Sequence, residues 1–305
     1  MTWLTHPEVS PHPARQLRDM ITRREPLVAP GVFNALVARI AQRLGFRVLY
    51  FSGAAFSASM GLPDLGLFTL NELVDSVRWI VRATGLPIIV DADTGFGEVL
   101  NVMRTVRELE AVGAAAVQIE DQVMPKKCGH LEGKQVIPAE AMVEKIRAAV
   151  EARNDLLIVA RTDAAATHGL TEAIRRARMY VEAGADIIFP EALQSEAAFR
   201  TFAKEVHAPL LANMTEFGKT PYIPAAQFHA WGYAIVIFPV TTLRVAMKAV
   251  EHVLRDLRDR GSQVDWLDRM QTRQELYDMI EYAQYESLDR ALARHLRGPD
   301  QEKPS

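Results

Sequence analysis

One cysteine, Cys128, stands among 305 residues, so the chain can form no intramolecular disulfide, which fits a reducing compartment. Long apolar runs are lacking too. The amino terminus offers Trp3 and Leu4, then His6, Pro7, Pro11, His12 and Pro13, with no stretch that reads as a signal peptide or membrane span, so a cytoplasmic protein is expected. Charge of one sign is scarce: a net charge of -3 leaves no electrostatic footprint for nucleic acid, and the expected partners are small molecules or further copies of the chain. No G-x-G-x-x-G follows the first strand-like run and no P-loop occurs, which argues against nucleotide-dependent chemistry. The 49% hydrophobic and 24% charged residues that remain are those of an ordinary globular protein able to bury a large core.

What is present is one pattern repeated. Residues 1 to about 13 read as an extended or poorly ordered arm, and helical spacing begins near Ala14. Short apolar runs then open at Leu27, Val48, Pro87, Ala115, Leu156, Ile187, Pro209 and Ala234, each followed by apolar residues at helical spacing. Near-continuous Val, Ile, Leu and Ala, rather than alternation, implies strands covered on both faces, and helical connections make them parallel. Gly45, Gly113 and Gly184 stand where helix ends want a left-handed residue. Eight such units predict an α/β protein with a (β/α)8 TIM-type barrel; an open doubly wound sheet is the alternative. The spacing predicts an eighth helix over about 242–260 and further helical signals over about 264–296, all within a single domain of 1–305. These extra helices offer apolar surface either for packing between subunits or for capping the barrel itself. The segment Gly298–Ser305 is expected to be disordered.

In a parallel barrel the functional groups lie at the carboxyl ends of the strands. Here those ends carry Tyr50 and Ser52, Asp91 and Asp93, Glu120 and Asp121, Arg161 and Asp163, Glu191, Asn213, Thr215 and Glu216, with Arg244 after the last strand. Asp91 and Asp93, two residues apart, would point the same way on a regular strand. Paired carboxylates without a neighbouring histidine suit a hard cation, Mg2+ first and Mn2+ second, with Glu120 as a further ligand or the holder of a metal-bound water. Arg161 and Arg244 can each grip a carboxylate with a planar fork, so a polyanionic substrate is expected, with Ser52, Asn213 and Thr215 as neutral donors. A divalent ion beside such a substrate points to chelation of an α-hydroxy or α-keto acid, and so to lyase or mutase chemistry. Beyond the fourth strand Lys126, Lys127 and His130 surround Cys128, and their charge is expected to favour the thiolate.

Taken in order, Tyr50-Phe51-Ser52-Gly53, Gly61 to Gly66, Asp91-Ala92-Asp93-Thr94-Gly95-Phe96-Gly97, Ile119 to Gln122, Lys126 to His130, Ala160 to Asp163, Asn213 to Gly218 and Met270 to Tyr277 resemble the isocitrate lyase/phosphoenolpyruvate mutase superfamily across nearly the whole chain. The resemblance implies a Mg2+-dependent carbon-carbon lyase that cleaves 2-methylisocitrate to pyruvate and succinate by retro-aldol chemistry, as in the methylcitrate cycle of propionate breakdown. By position it implies that Asp91 and Asp93 hold the metal. Ser52, Gly53, Ala54, Gly129, His130, Arg161, Glu191, Asn213, Thr215, Arg244 and Arg273 fall at substrate contacts, Tyr50 would handle the hydroxyl proton, and Cys128 would protonate the nascent succinate. It further implies a homotetramer built from dimers that exchange a carboxy-terminal helix.

Lys-Lys-Cys-Gly-His is shared with isocitrate lyases and does not choose the substrate, whereas the short chain favours the methylated one. Phe189 and Ile237 would wall the methyl pocket or serve only as core. Isocitrate lyase, phosphonomutase and oxaloacetate hydrolase or decarboxylase activities, and a non-catalytic dicarboxylate-binding barrel, are the other readings. A general acid must hold its proton, so a thiol acidified by its neighbours would need a mobile loop that delivers it only to bound substrate.

Overall fold

A computed structural model describes Leu4 and residues 12–297; the expected arm over 1–13 lies almost entirely, and Gly298–Ser305 entirely, outside the described residues. The chain divides into a barrel unit, Val9–Lys248, and a carboxy-terminal unit from Ala249 onward.

The barrel unit contains eight parallel strands: β1 Leu27–Val32, β2 Leu49–Phe51, β3 Ile88–Asp91, β4 Ala116–Glu120, β5 Leu157–Thr162, β6 Ile187–Pro190, β7 Leu210–Asn213 and β8 Tyr233–Phe238. Each pairs with the next, and β1 pairs with β8 from Leu27 opposite Ile235 to Pro30 opposite Phe238. The sheet is therefore closed, and the open doubly wound alternative is excluded. At the seam the backbones approach so closely that a Cβ on Gly31 would lie 2.0 Å from the Pro239 carbonyl oxygen.

Alternation along the strands splits the core in two. Tyr50, Ile89, Val159, Phe189, Leu211 and Ile237 fill the barrel interior. Phe51, Val90, Ile119 and Ile158 face outward under the helices. Gly45, Gly113 and Gly184 close their helices with φ of 86°, 92° and 104°, the left-handed geometry read from the sequence. The Ser52 hydroxyl accepts from the Ala55 amide and so starts the helix Gly53–Ser59 directly after β2.

The helix Thr241–Arg260 runs from the barrel unit into the carboxy-terminal unit and buries only Leu243. The helical signals expected over 264–296 resolve into three elements: a 3-10 helix Val264–Arg269 and α-helices Arg273–Met279 and Tyr282–Arg297. Two local features cause the breaks. Thr272 forms a capping box with Glu275 that restarts the chain, and Glu281 has φ of 59°, which a continuing helix cannot contain. Among the described residues no helix is long and apolar enough to cross a membrane.

Candidate active site

The carboxyl ends of the strands surround a cavity of about 420 Å3, lined by groups that include Tyr50, Ser52, Asp91, Cys128, Arg161 and Arg244. Polar groups enter it where β2 to β7 give way to charged, hydroxylated or amide residues at the rim, while Phe189, Ile237, Val240 and Leu243 keep part of the lining apolar.

Strand β3 ends at Asp91, and Asp93 lies past it with φ of 49°, so the two side chains do not share a face by strand alternation. A left-handed turn brings them together instead: a Cβ on Gly53 would sit 3.1 Å from Asp91 Oδ2 and 3.4 Å from Asp93 Oδ1. The Gly53 amide donates to Asp91 Oδ2 at 3.3 Å, and Gln118 Nε2 donates to Oδ1 at 3.1 Å. The Lys126 ammonium lies 2.7 Å from Asp93 Oδ1 and also binds Asp64. Burial pushes the Asp93 pKa up to about 7 despite Lys126, raises Asp91, and carries Glu120 well above the usual carboxylate range.

Asp93 Oδ2 and Glu120 Oε1 are buried and accept no hydrogen bond, as expected of oxygens shaped for a cation. Among the described residues, however, no three acidic, histidine or cysteine groups cluster closely enough to form a ligand shell, so Asp91, Asp93 and Glu120 are not a three-ligand set. Two carboxylates with water completing the shell suit Mg2+ better than they suit a softer metal. The donor set thus fits a hard divalent ion, which Asp91 and Asp93 would hold.

Arg161 on β5 organises the other half of the floor. Its Nε lies 2.9 Å from Asp163 Oδ2 and 3.3 Å from Glu120 Oε2, one terminal nitrogen lies 3.2 Å from Glu191 Oε2, and the guanidinium stacks 5.2 Å above Phe189. With the second terminal nitrogen donating to Asp163, two of the five N–H groups stay available to a ligand. Burial opposes charge on Glu191, but Arg161 and His130 outweigh it and hold its pKa below the ordinary value. Asn213 Nδ2 lies 3.3 Å from the same carboxylate.

Cys128 is half-buried, and its thiol is shifted opposite to the sequence expectation. Burial pushes its pKa up; the His130 backbone amide pulls it down less strongly, and Glu191 adds to the rise. The cationic neighbours are engaged elsewhere: Lys126 with Asp64 and Asp93, and Lys127 Nζ with the Gly133 carbonyl at 3.3 Å. The direction of the shift thus favours the protonated thiol. Next to it, Gly129 is required by space, since a Cβ there would lie 2.4 Å from Glu191 Cγ.

Tyr50 donates to Gln118 Oε1 at 2.7 Å, and burial together with Asp91 raises its pKa well above the phenol range, so it can donate but cannot serve as a base at neutral pH. Thr215, Ala54, Phe189 and Ile237 also line the cavity. Arg244 stacks over Phe217 at 5.3 Å and lies 3.5 Å from Glu216, on the cavity wall. Arg273 belongs to the carboxy-terminal unit, where it opens the helix Arg273–Met279.

Asp121, named among the strand ends, is a framework group: Thr162, Tyr180, Arg176 and the Asp163 amide all bind its carboxylate. Gln118, Asp64 and Lys134 drew no role from the sequence, because a buried glutamine inside a strand and single charges in loops carry no periodic signal.

Comparison with known proteins places this constellation. The family model described as phosphoenolpyruvate phosphomutase matches residues 17–258. The chain belongs to this family. Similarity to individual family members covers nearly all of it. A protein of Aeropyrum pernix named 2-methylisocitrate lyase is 60% identical over 282 residues, 92% of each chain. One of Bacillus subtilis with the same name is 50% identical over 295 residues, 96% of this chain and 98% of the relative. Among solved structures, 2,3-dimethylmalate lyase, a phosphoenolpyruvate mutase/isocitrate lyase superfamily member, superposes with a TM-score of 0.88 at 36% identity, covering 96% of this chain and 99% of that one.

Proposed function

We propose that this chain is a carbon-carbon lyase that cleaves 2-methylisocitrate to pyruvate and succinate, with Mg2+ as its metal. The observation that carries the reading is the convergence of the Cys128 thiol, the Asp91 carboxylate and the Arg161 guanidinium on one cavity. The extensive similarity to relatives named for this substrate supports it.

In the reaction the hydroxyl of the α-hydroxy acid gives up its proton to solvent, and its oxygen electrons form the keto group of pyruvate. The adjacent carbon-carbon bond breaks, and its electron pair stays on the carbon that becomes succinate. Asp91 and Asp93 would hold the divalent ion, which supplies positive charge at the hydroxy-acid end. Arg161 binds the carboxylate at that end through its two remaining N–H groups, while Ser52, Gly53 and Ala54 line its approach. Asn213, Thr215 and Arg244 take the other carboxylates. Tyr50, whose own proton goes to Gln118, accepts a hydrogen bond from the substrate hydroxyl at its oxygen. Cys128 gives its proton to the carbanion, a step that its raised pKa favours at neutral pH. Phe189 and Ile237 give the methyl group an apolar wall.

The helices after β8 leave Val245 67% and Leu254 56% exposed, and we assign this surface to a homotetramer of helix-exchanging dimers. A cytoplasmic setting in propionate breakdown agrees with the lone unpaired thiol.

The test is incubation with Mg2+ and either 2-methylisocitrate or isocitrate, measuring pyruvate, glyoxylate and succinate. Pyruvate and succinate in equal amounts are expected, abolished by chelator. Faster glyoxylate release at equal substrate would sink the assignment. Light scattering during size-exclusion chromatography should give four times the 34.0 kDa chain mass.

A further inference from the structure

Lys134 is a lysine buried in the rim of the site for which the reaction above has no use. Its side chain is 1% exposed and that of its partner Asp163 is wholly buried, with Nζ 2.7 Å from Asp163 Oδ1. The same ammonium donates to the Gly129 carbonyl, the peptide next to Cys128. Asp163 in turn accepts from Arg161 through both of its oxygens, at 2.9 and 3.2 Å. The Asp163 amide is fixed by Asp121 at 2.9 Å, so this carboxylate cannot drift with the loop. One ammonium thus bridges the backbone that carries the thiol and the carboxylate that orients the guanidinium.

Burying an ammonium is costly unless it is fully paired, and a lysine serving stability alone would need only Asp163. The bond to Gly129 is one of several anchors in this segment, beside those of Gln122 to the Lys127 amide and carbonyl. The others include the Cys128 carbonyl accepting from Leu131 at 2.9 Å and His130 Nδ1 accepting from the Lys219 amide.

We propose that Lys134 is a positioning residue that sets the distance between the Cys128 thiol and the Arg161 guanidinium, by tying the Gly129 carbonyl to Asp163. The proposal rests on the lyase reading, because it is the proton donor and the carboxylate anchor whose separation it fixes. A displacement of about 1 Å at a reacting group can cost about 100-fold in rate, and this is the scale of effect expected from cutting the tie.

The experiment uses the full-length Mg2+-loaded protein and two readouts, turnover of 2-methylisocitrate and alkylation of Cys128 by iodoacetamide across pH. Lys134→Met should lower kcat by about 100-fold, more than it changes KM, and should alter the alkylation profile. Lys134→Arg, which can keep both contacts, should recover a large part of kcat. A role in stability alone would lower the melting temperature while leaving kcat per folded molecule and alkylation at wild-type values, and that result would overturn the proposal. Where Lys134→Met does not fold, the double variant Lys134→Met/Asp163→Asn removes both buried charges together; wild-type alkylation in it also overturns the proposal, and an altered profile supports it. Alkylation does not depend on substrate identity, so a wild-type protein inactive on 2-methylisocitrate would refute the lyase assignment while the tie is still judged by the thiol.

Discussion

His130 Nε2 lies 2.9 Å from Glu191 Oε1, and because its Nδ1 accepts from the Lys219 amide, Nε2 is the protonated nitrogen, at ion-pair distance from the carboxylate without hydrogen-bond alignment. Glu191 therefore keeps its charge in a dry setting and stays aimed at Arg161. His130→Ala should lower kcat/KM by about 10-fold to 100-fold, whereas His130→Gln, which keeps a donor, should lose less. Steady-state kinetics check this; an alanine variant within twofold of wild type would show that Glu191 needs no such partner.

The raised thiol pKa makes a prediction that does not depend on turnover. At pH 8 Cys128 should react with iodoacetamide about 10-fold more slowly than free cysteine, with the rate climbing only above the ordinary thiol range. A fast plateau below pH 8 would mean a thiolate and would contradict the proton-donor role. Cys128→Ser should remove at least 100-fold of kcat while metal-dependent binding of pyruvate and succinate persists.

Asp93 links metal to stability through pH. Its folded pKa, about 7, lies above the ordinary 3.8, so between these values the folded chain binds more protons than the unfolded one, and stability falls as pH rises. Asp91 and Glu120 act with the same sign, and Glu191 with the opposite sign between its depressed value and the ordinary 4.5. In chelator the melting temperature should drop by a few degrees, on the order of 3–6 °C, from pH 5 to pH 7.5, and Mg2+ should shrink that drop. Asp93→Asn should flatten the chelator curve; an unchanged slope in that variant would assign the effect to other groups.

At the barrel seam, Gly31→Ala has no room, since backbone rather than a movable side chain blocks it. Chemical denaturation should show a loss of about 1–3 kcal/mol or more. A midpoint equal to wild type would mean that β1 shifts freely against β8.

The barrel was legible because its strands are short unbroken apolar runs and its helix ends carry glycine, both of them local signals. The strand-end list was legible for the same reason, since alternation and parallel pairing fix which residues reach the rim. What the sequence could not carry was direction past the last paired residue. Asp93 converges with Asp91 through a left-handed turn, and the charges of Lys126 and Lys127 point away from the thiol they flank. Sequence proximity suggested an acidified cysteine; burial and Glu191 reverse the sign. Lys134 escaped notice because its partners, Gly129 and Asp163, meet it only in three dimensions.

The pairing of Leu27 with Ile235 has a consequence for how the molecule is made. The first strand emerges from the ribosome with one hydrogen-bonding edge unmatched, and its partner is synthesised some two hundred residues later. At roughly 5–20 residues per second that interval lasts on the order of 10–40 s. Until β8 arrives the nascent sheet has open edges, the usual starting point for misassembly. The wall that carries Pro239, Leu243 and Arg244 is also missing until then. Activity should thus appear only after release of the whole barrel, with no partially active fragment, and yield on expression should depend on chaperone capacity more than on the stability of the finished fold.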